Sequence, residues 1–220
     1  EGLSGTGPKA GGPLYLYRLL AQRPPGVLAR VMGQVPAPPL SAALRELAEG
    51  LRATHLAVAD AALALAQASR SGCLRVLPGP TGERNTYALA PRAAVLCLAG
   101  NEADRLLQLA AVLAVGGRAV WPAEARALRE RLPASARAQV ALASDWRAAE
   151  VMFDAVLLHG DTAELHEVQA ALAAREGPVI AVERLAPGDT ALPLERLVLE
   201  RSLSVNTAAA GGNASLMALG

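Results

Sequence analysis

Cysteine is nearly absent from this chain: its 220 residues include two, Cys73 and Cys97. Two thiols without a regular spacing build neither a disulfide framework nor a tetrahedral zinc site. They read as reduced, buried thiols of a cytosolic protein. Lysine is scarcer still, with Lys9 alone, and no run of basic residues compensates. A net charge of +1 without clustered cations argues against a nucleic-acid surface. No apolar run reaches the roughly 18 residues that span a bilayer, and no secretory signal opens the chain. An initiator methionine is missing too; Glu1 stands in the middle of a glycine loop, as expected of a piece of a longer polypeptide.

What is present suits one large domain with extensions. Hydrophobic residues make up 52% and charged residues 19%, enough for a substantial core. The first thirteen residues, "EGLSGTGPKAGGP", hold five glycines and two prolines and read as a loop. "PLYLYRLL" (13–20) reads as a short strand. The next stretch carries five prolines and reads as an extended linker over 21–40.

From Ser41 the pattern turns helical. Leu44, Leu47, Leu51, Val58, Ala62 and Leu65 fall on one stripe, Ser41 is an N-cap, Gly72 a stop, and Gly50 a possible division into two helices. His55 lies on that stripe and reads as a core or edge histidine. "GPTGERN" (79–85) is a turn cluster. Strands are expected at 92–99, 118–123, 154–160 and 178–184, and a final extended segment at 195–207. Helices are expected at 101–116, after 160, and as polar outer helices at 125–132 and 143–151. Alternating strands and helices imply a mostly parallel, Rossmann-like α/β sheet covered on both faces.

The common motifs are missing. Lys9 is followed by Ala10, so the opening loop is not a phosphate-binding P-loop. The turn after the strand at 92–99 reads "AGNEAD" rather than G-x-G-x-x-G. Cys97 sits late in an apolar strand with no histidine beside it in sequence, which favours an inert thiol over a nucleophile. His159 ends a strand, where α/β folds place ligands, and His166 lies on a polar helix surface.

Both ends carry a resemblance. "EGLSGTGPKAGGPLYLYRLL" resembles the closing segment of the glutamate-semialdehyde dehydrogenase domain in the proline utilization A family, and "LSVNTAAAGGNASLMALG" resembles that family's C-terminal signature. The resemblance implies the C-terminal region of a long-form bifunctional enzyme. Its parent would oxidise L-proline with FAD and glutamate semialdehyde with NAD in upstream domains of the same polypeptide, linked by an internal channel. It implies a parent that is homo-oligomeric and cytoplasmic, or peripheral at the inner face of the bacterial membrane. Ser4 and Gly5 would then lie in the loop anchoring the aldehyde substrate's carboxylate, shaped or flanked by Thr6, Gly7 and Lys9. The tail 205–220 would seal the channel through Asn206, Thr207, Gly211, Gly212, Asn213, Leu216 and Met217. Residues 41–204 resemble the cofactor-binding domain of aldehyde dehydrogenases. There Trp121 replaces the lysine of a "KPAE" turn, ahead of a retained Glu124. "LHGDTAEL" follows a phosphate turn in keeping Gly160 and Thr162 but not its second glycine. These departures imply a non-catalytic domain that binds no cofactor itself. The alternative reading is a nucleotide-binding or regulatory module with His159, Gly160, Asp161 and Thr162 lining its site.

Overall fold

A computed structural model describes residues 12–17, 19–20 and 23–206. The described residues begin with four helices: α1 (Pro13–Tyr17), α2 (Val27–Met32), α3 (Ala42–Leu51) and α4 (Leu56–Ala68). Strands β1 (Leu74–Leu77) and β2 (Glu83–Pro91) follow, then β3 (Val95–Ala99), α5 (Glu102–Ala114) and β4 (Ala119–Pro122). The short helices α6 (Arg126–Glu130) and α7 (Ala134–Arg137) lead to β5 (Val140–Ala143). The remaining elements are β6 (Ala155–His159), α8 (Thr162–Ala173), β7 (Val182–Leu185) and β8 (Val198–Asn206).

Five strands form a wholly parallel sheet in the order β5-β4-β3-β6-β7. Alternate side chains separate two cores, as strand pleating requires. Val95, Cys97, Ala119, Trp121, Ala155 and Leu157 face a core shared with α3, α4 and α5. Leu96, Val120, Val156 and Leu158 face a second one with Trp146, Phe153 and Val168 of α8. The expected doubly covered α/β architecture is therefore present.

Several local expectations change. Residues 13–17 are helical, not a strand: Leu14 is buried and its N–H donates to Glu200 Oε1 at 3.1 Å. The proline-rich stretch is not extended throughout, because α2 buries Val27, Leu28, Val31 and Met32 in the main core. Arg23 ties the stretch leading into α2 to Glu195 at 3.2 Å and to Glu183. Ser41 does cap α3, its side chain accepting from Leu44 N–H, but Gly50 stays inside that helix and the break falls at 52–55. His55 is the N-cap of α4, half-buried at that helix's edge. Residues 143–151 form no helix; β5 ends there and an irregular segment follows. The cluster at 79–85 is a hairpin turn that already includes the first residues of β2.

β1, β2 and β8 make a separate antiparallel sheet, with β2 and β8 paired from Glu83↔Asn206 to Pro91↔Val198. Its distal part is open to solvent. Val76 and Leu203 flank Thr86 in register, and these two, with Leu74 and Val205, are exposed apolar residues.

Candidate functional site

In an open parallel sheet, ligands are received beyond the strand C-termini where the strand order reverses. Here that point lies between β3 and β6, at Ala99 and His159. The helices opening there, α5 and α8, are those whose N-termini would face a phosphate. Both are already occupied by carboxylates. Asn101 caps α5, accepting from Asp104 N–H at 2.9 Å, and its amide donates to Asp104 Oδ2 at 2.6 Å. Glu102 and Asp104 thus place two acidic groups in the first turn. At α8, Asp161 and Glu164 form a reciprocal capping box: Asp161 N–H donates to Glu164 Oε2 at 2.8 Å and Glu164 N–H to Asp161 Oδ1 at 2.9 Å.

The retained glycine has a local reason. A Cβ on Gly160 would lie 2.5 Å from Glu164 Oε2, so its missing side chain makes room for that carboxylate. The Gly160 N–H donates to Leu185 O at 3.0 Å. Thr162 is the first residue of α8 and is exposed. His166 is exposed on the same helix.

Trp121 does not line an open crevice. It is fully buried on the face of β4 that meets the main core, and its indole N–H makes no hydrogen bond of normal geometry among the described residues. Glu124, by contrast, is exposed and sits 4.0 Å from Arg105 Nη2. Arg105 is largely buried and donates to Ala99 O at 2.5 Å; burial holds its pKa below the ordinary value, with Glu124 opposing.

His159 is 2% exposed and both its ring nitrogens are engaged. Nε2 stands 2.9 Å from Asp189 O, an atom that can only accept, so Nε2 carries the proton. Nδ1 then accepts from the Gln108 amide at 2.9 Å. That amide nitrogen also approaches Leu98 O at 2.8 Å and Leu157 O at 3.3 Å. Asp104 accepts from Gly188 N–H at 3.1 Å through each carboxylate oxygen. Asp104, Gln108 and Gly188 escaped the sequence reading. The signal available for the first two was their polarity on a helix otherwise apolar nearly all round.

Cys97 is completely buried, and burial pushes its thiol up from an ordinary 9.0 to about 12, against smaller opposing effects of Arg105 and the Trp121 N–H. A nucleophilic thiolate needs the reverse environment. The unfolded chain would release this proton from about pH 9, while the folded chain keeps it to about 12, so stability falls as pH rises through that window. Urea unfolding at pH 8, 9 and 10 should show the decline approaching about 1.4 kcal/mol per pH unit. In Cys97→Ala the slope should flatten. Tyr87, whose phenol is raised by burial and by its hydrogen bond to Glu200, adds a residual slope of the same sign.

Among the described residues, no group of three or more His, Cys, Asp or Glu side chains converges as a metal site, and no helix is long and apolar enough to cross a membrane. A cleft of about 650 Å³ lies between α8 and β7. Its charged lining is already engaged: Arg175 with backbone carbonyls, and Glu183 with Arg23 and Arg196. Asn206, the last described residue, ends β8 opposite Glu83. Ser4, Gly5, Thr6, Gly7, Lys9, Thr207, Gly211, Gly212, Asn213, Leu216 and Met217 lie outside the described residues.

No family model matches the chain. Over its whole length it is 53% identical, across 230 residues, to the bifunctional protein PutA of Salmonella typhimurium. It is 49% identical across 230 residues to that of Escherichia coli, and 39% across 227 to that of Rhizobium meliloti. Among solved structures, a Bradyrhizobium japonicum proline utilization A variant aligns with 70% of this chain and 20% of its own, at 21% identity and a TM-score of 0.47. Lactaldehyde dehydrogenase from Escherichia coli aligns with 64% of this chain and 38% of its own, at 14% identity and a TM-score of 0.49. The chain spans 17 to 18% of the length of those three PutA relatives. By that full-length match it belongs, as one segment of a longer architecture, to the bifunctional PutA family.

Proposed function

We propose that this chain is the non-catalytic, C-terminal, aldehyde-dehydrogenase-like part of a bifunctional enzyme that oxidises L-proline to L-glutamate. The observation that carries the reading is the whole-length match to a segment of PutA, joined to a fold in which neither Cys97 nor His159 is free to react. Cys97 is buried as a thiol, and the His159 ring is spent on structural hydrogen bonds. FAD and NAD would belong to upstream domains of the same polypeptide. The residues of this chain would not fit a dinucleotide: carboxylates stand at both helix N-termini, and by the family resemblance Trp121 would take the place of a ribose-binding lysine.

The folded domain would brace the neighbouring dehydrogenase domain and the parent's assembly. The exposed apolar side of the antiparallel sheet, with Leu74, Val76, Leu203 and Val205, supports such a role. Ser4 and Gly5 would anchor the aldehyde substrate's carboxylate, within a loop set by Thr6, Gly7 and Lys9. The tail that follows Asn206 would close the channel: its small residues permit close backbone packing, Thr207 and Asn213 can satisfy polar groups, and Leu216 and Met217 supply an apolar anchor.

Removing 207–220 from the full-length enzyme leaves every residue of β8 in place. It should lower aldehyde oxidation or lengthen the lag before NADH appears in coupled turnover of proline. Coupled kinetics identical to those of the intact enzyme would overturn the sealing role. Against a nucleotide-binding module stands the engagement of His159, Gly160 and Asp161 with other parts of the chain.

A further inference from the structure

We propose that residues 186–193, between β7 and β8, are an internal strap that fills the ligand crevice of the parallel sheet and takes the structural place of a bound cofactor. The inference concerns the crevice alone and does not depend on the role of the tail. The strap leaves β7 through a tight turn, Ala186-Pro187-Gly188-Asp189, in which Asp189 N–H donates to Ala186 O at 3.0 Å and Gly188 has φ +82°. Proline then glycine at the two central positions suits a type II turn, whose third residue needs a positive φ. That turn lies against the crevice between β3 and β6.

Two anchors fasten it from opposite sides. On the α5 side, the buried carboxylate of Asp104 receives the Gly188 N–H. On the β6 side, the His159 Nε2–H donates to Asp189 O, and the ring is held by the Gln108 amide, which is also fixed to the carbonyl of Leu98 at the end of β3. The donors therefore run in sequence from helix to imidazole to strap, and the Asp104 carboxylate, the Gln108 Nε2 and both His159 ring nitrogens are turned onto the chain. Beyond the anchors, Leu192 and Leu194 enter the main core. Seating a dinucleotide would require breaking both anchors, withdrawing Leu192 into water and placing phosphates beside Glu102 and Asp104. Buried donors and acceptors left without partners make such an exchange unfavourable.

Amide hydrogen exchange on the full 220-residue chain tests the strap, with NAD⁺ as the probe. The Gly188 amide should exchange at least a hundredfold more slowly than in an unstructured peptide, and millimolar NAD⁺ should leave the pattern of 186–193 unchanged. Asp104→Ala should speed exchange at Gly188 at least tenfold. Should that variant fail to fold, Gly188→Pro removes the same hydrogen bond from the strap side; it should deprotect 189–192 while the amides of β3 and β6 stay slow. Unprotected exchange at Gly188 in the unaltered chain would overturn the proposal. So would NAD⁺ releasing the strap, or retained protection of 189–192 in Gly188→Pro. Failure of the tail deletion to alter coupled turnover would leave these outcomes untouched, so the two ideas fall separately.

Discussion

Trp121→Ala is expected to destabilise the domain by about 3–5 kcal/mol, and Trp121→Lys by at least as much. The indole is completely buried against the main core, on the face of β4 turned toward the helices, so its removal leaves a large cavity. A lysine there would bring a cation into an apolar surround with no carboxylate prepared for it; Glu124, the next acidic residue along the chain, is exposed. The pair of variants separates two histories of the position. If Trp121 were only a lost ribose contact at the rim of an open crevice, lysine would be tolerated and some affinity for NAD⁺ would return. If it is a core residue, both variants lose stability, the lysine variant gains no nucleotide binding, and Trp121→Phe recovers much of the loss. Urea unfolding of the three variants, with calorimetric titration of NAD⁺ into Trp121→Lys, decides between them. A Trp121→Lys chain as stable as the original would refute the core role.

Four of the five parallel strands were legible because their signals are local; the edge strand β5 was not. Val95–Ala99 and, up to its terminal histidine, Ala155–His159 are short apolar runs, as strands buried on both faces must be. Leu44, Leu47, Leu51, Val58, Ala62 and Leu65 all fall in the core as their spacing required. Elements decided by distant partners were not legible. Residues 13–17 have the leucine and tyrosine content of a strand, yet the helix is fixed by burial of Leu14 and by Glu200, 186 positions beyond it. β2 begins with the polar run Glu83-Arg84-Asn85 and exists because β8 pairs with it from the far end of the chain. The crevice follows the same rule. A polar Asp104 and Gln108 on an apolar helix were visible, but the loop that Asp104 binds lies 84 residues away. The resemblance of "WPAE" to a family turn implied only a missing lysine; that the tryptophan is a core residue could not be read, because the chain around it decides burial.

The segment between β5 and β6 shows how one side chain can substitute for regular structure. Residues 144–154 form neither helix nor strand, so several of their carbonyls depend on partners from elsewhere. Arg175, just beyond α8, supplies three: Nη1 donates to Trp146 O at 2.6 Å and Ala148 O at 2.8 Å, and Nη2 to Val151 O at 2.7 Å. Its guanidinium also lies 4.7 Å from the centre of the Phe153 ring. The planar fork reaches separate carbonyls at once, which a lysine ammonium cannot do from one point. Arg175→Ala should therefore cost about 3 kcal/mol, combining charge-assisted hydrogen bonds with a partly exposed cation–π contact. Arg175→Lys should recover less than half of it. Because the loss is confined to one loop, amide exchange at 146–151 should rise while the amides of β3 and β6 remain slow. Unfolding curves for Arg175→Lys that overlay those of the unaltered chain would mean that a single cation suffices and that the fork geometry is incidental.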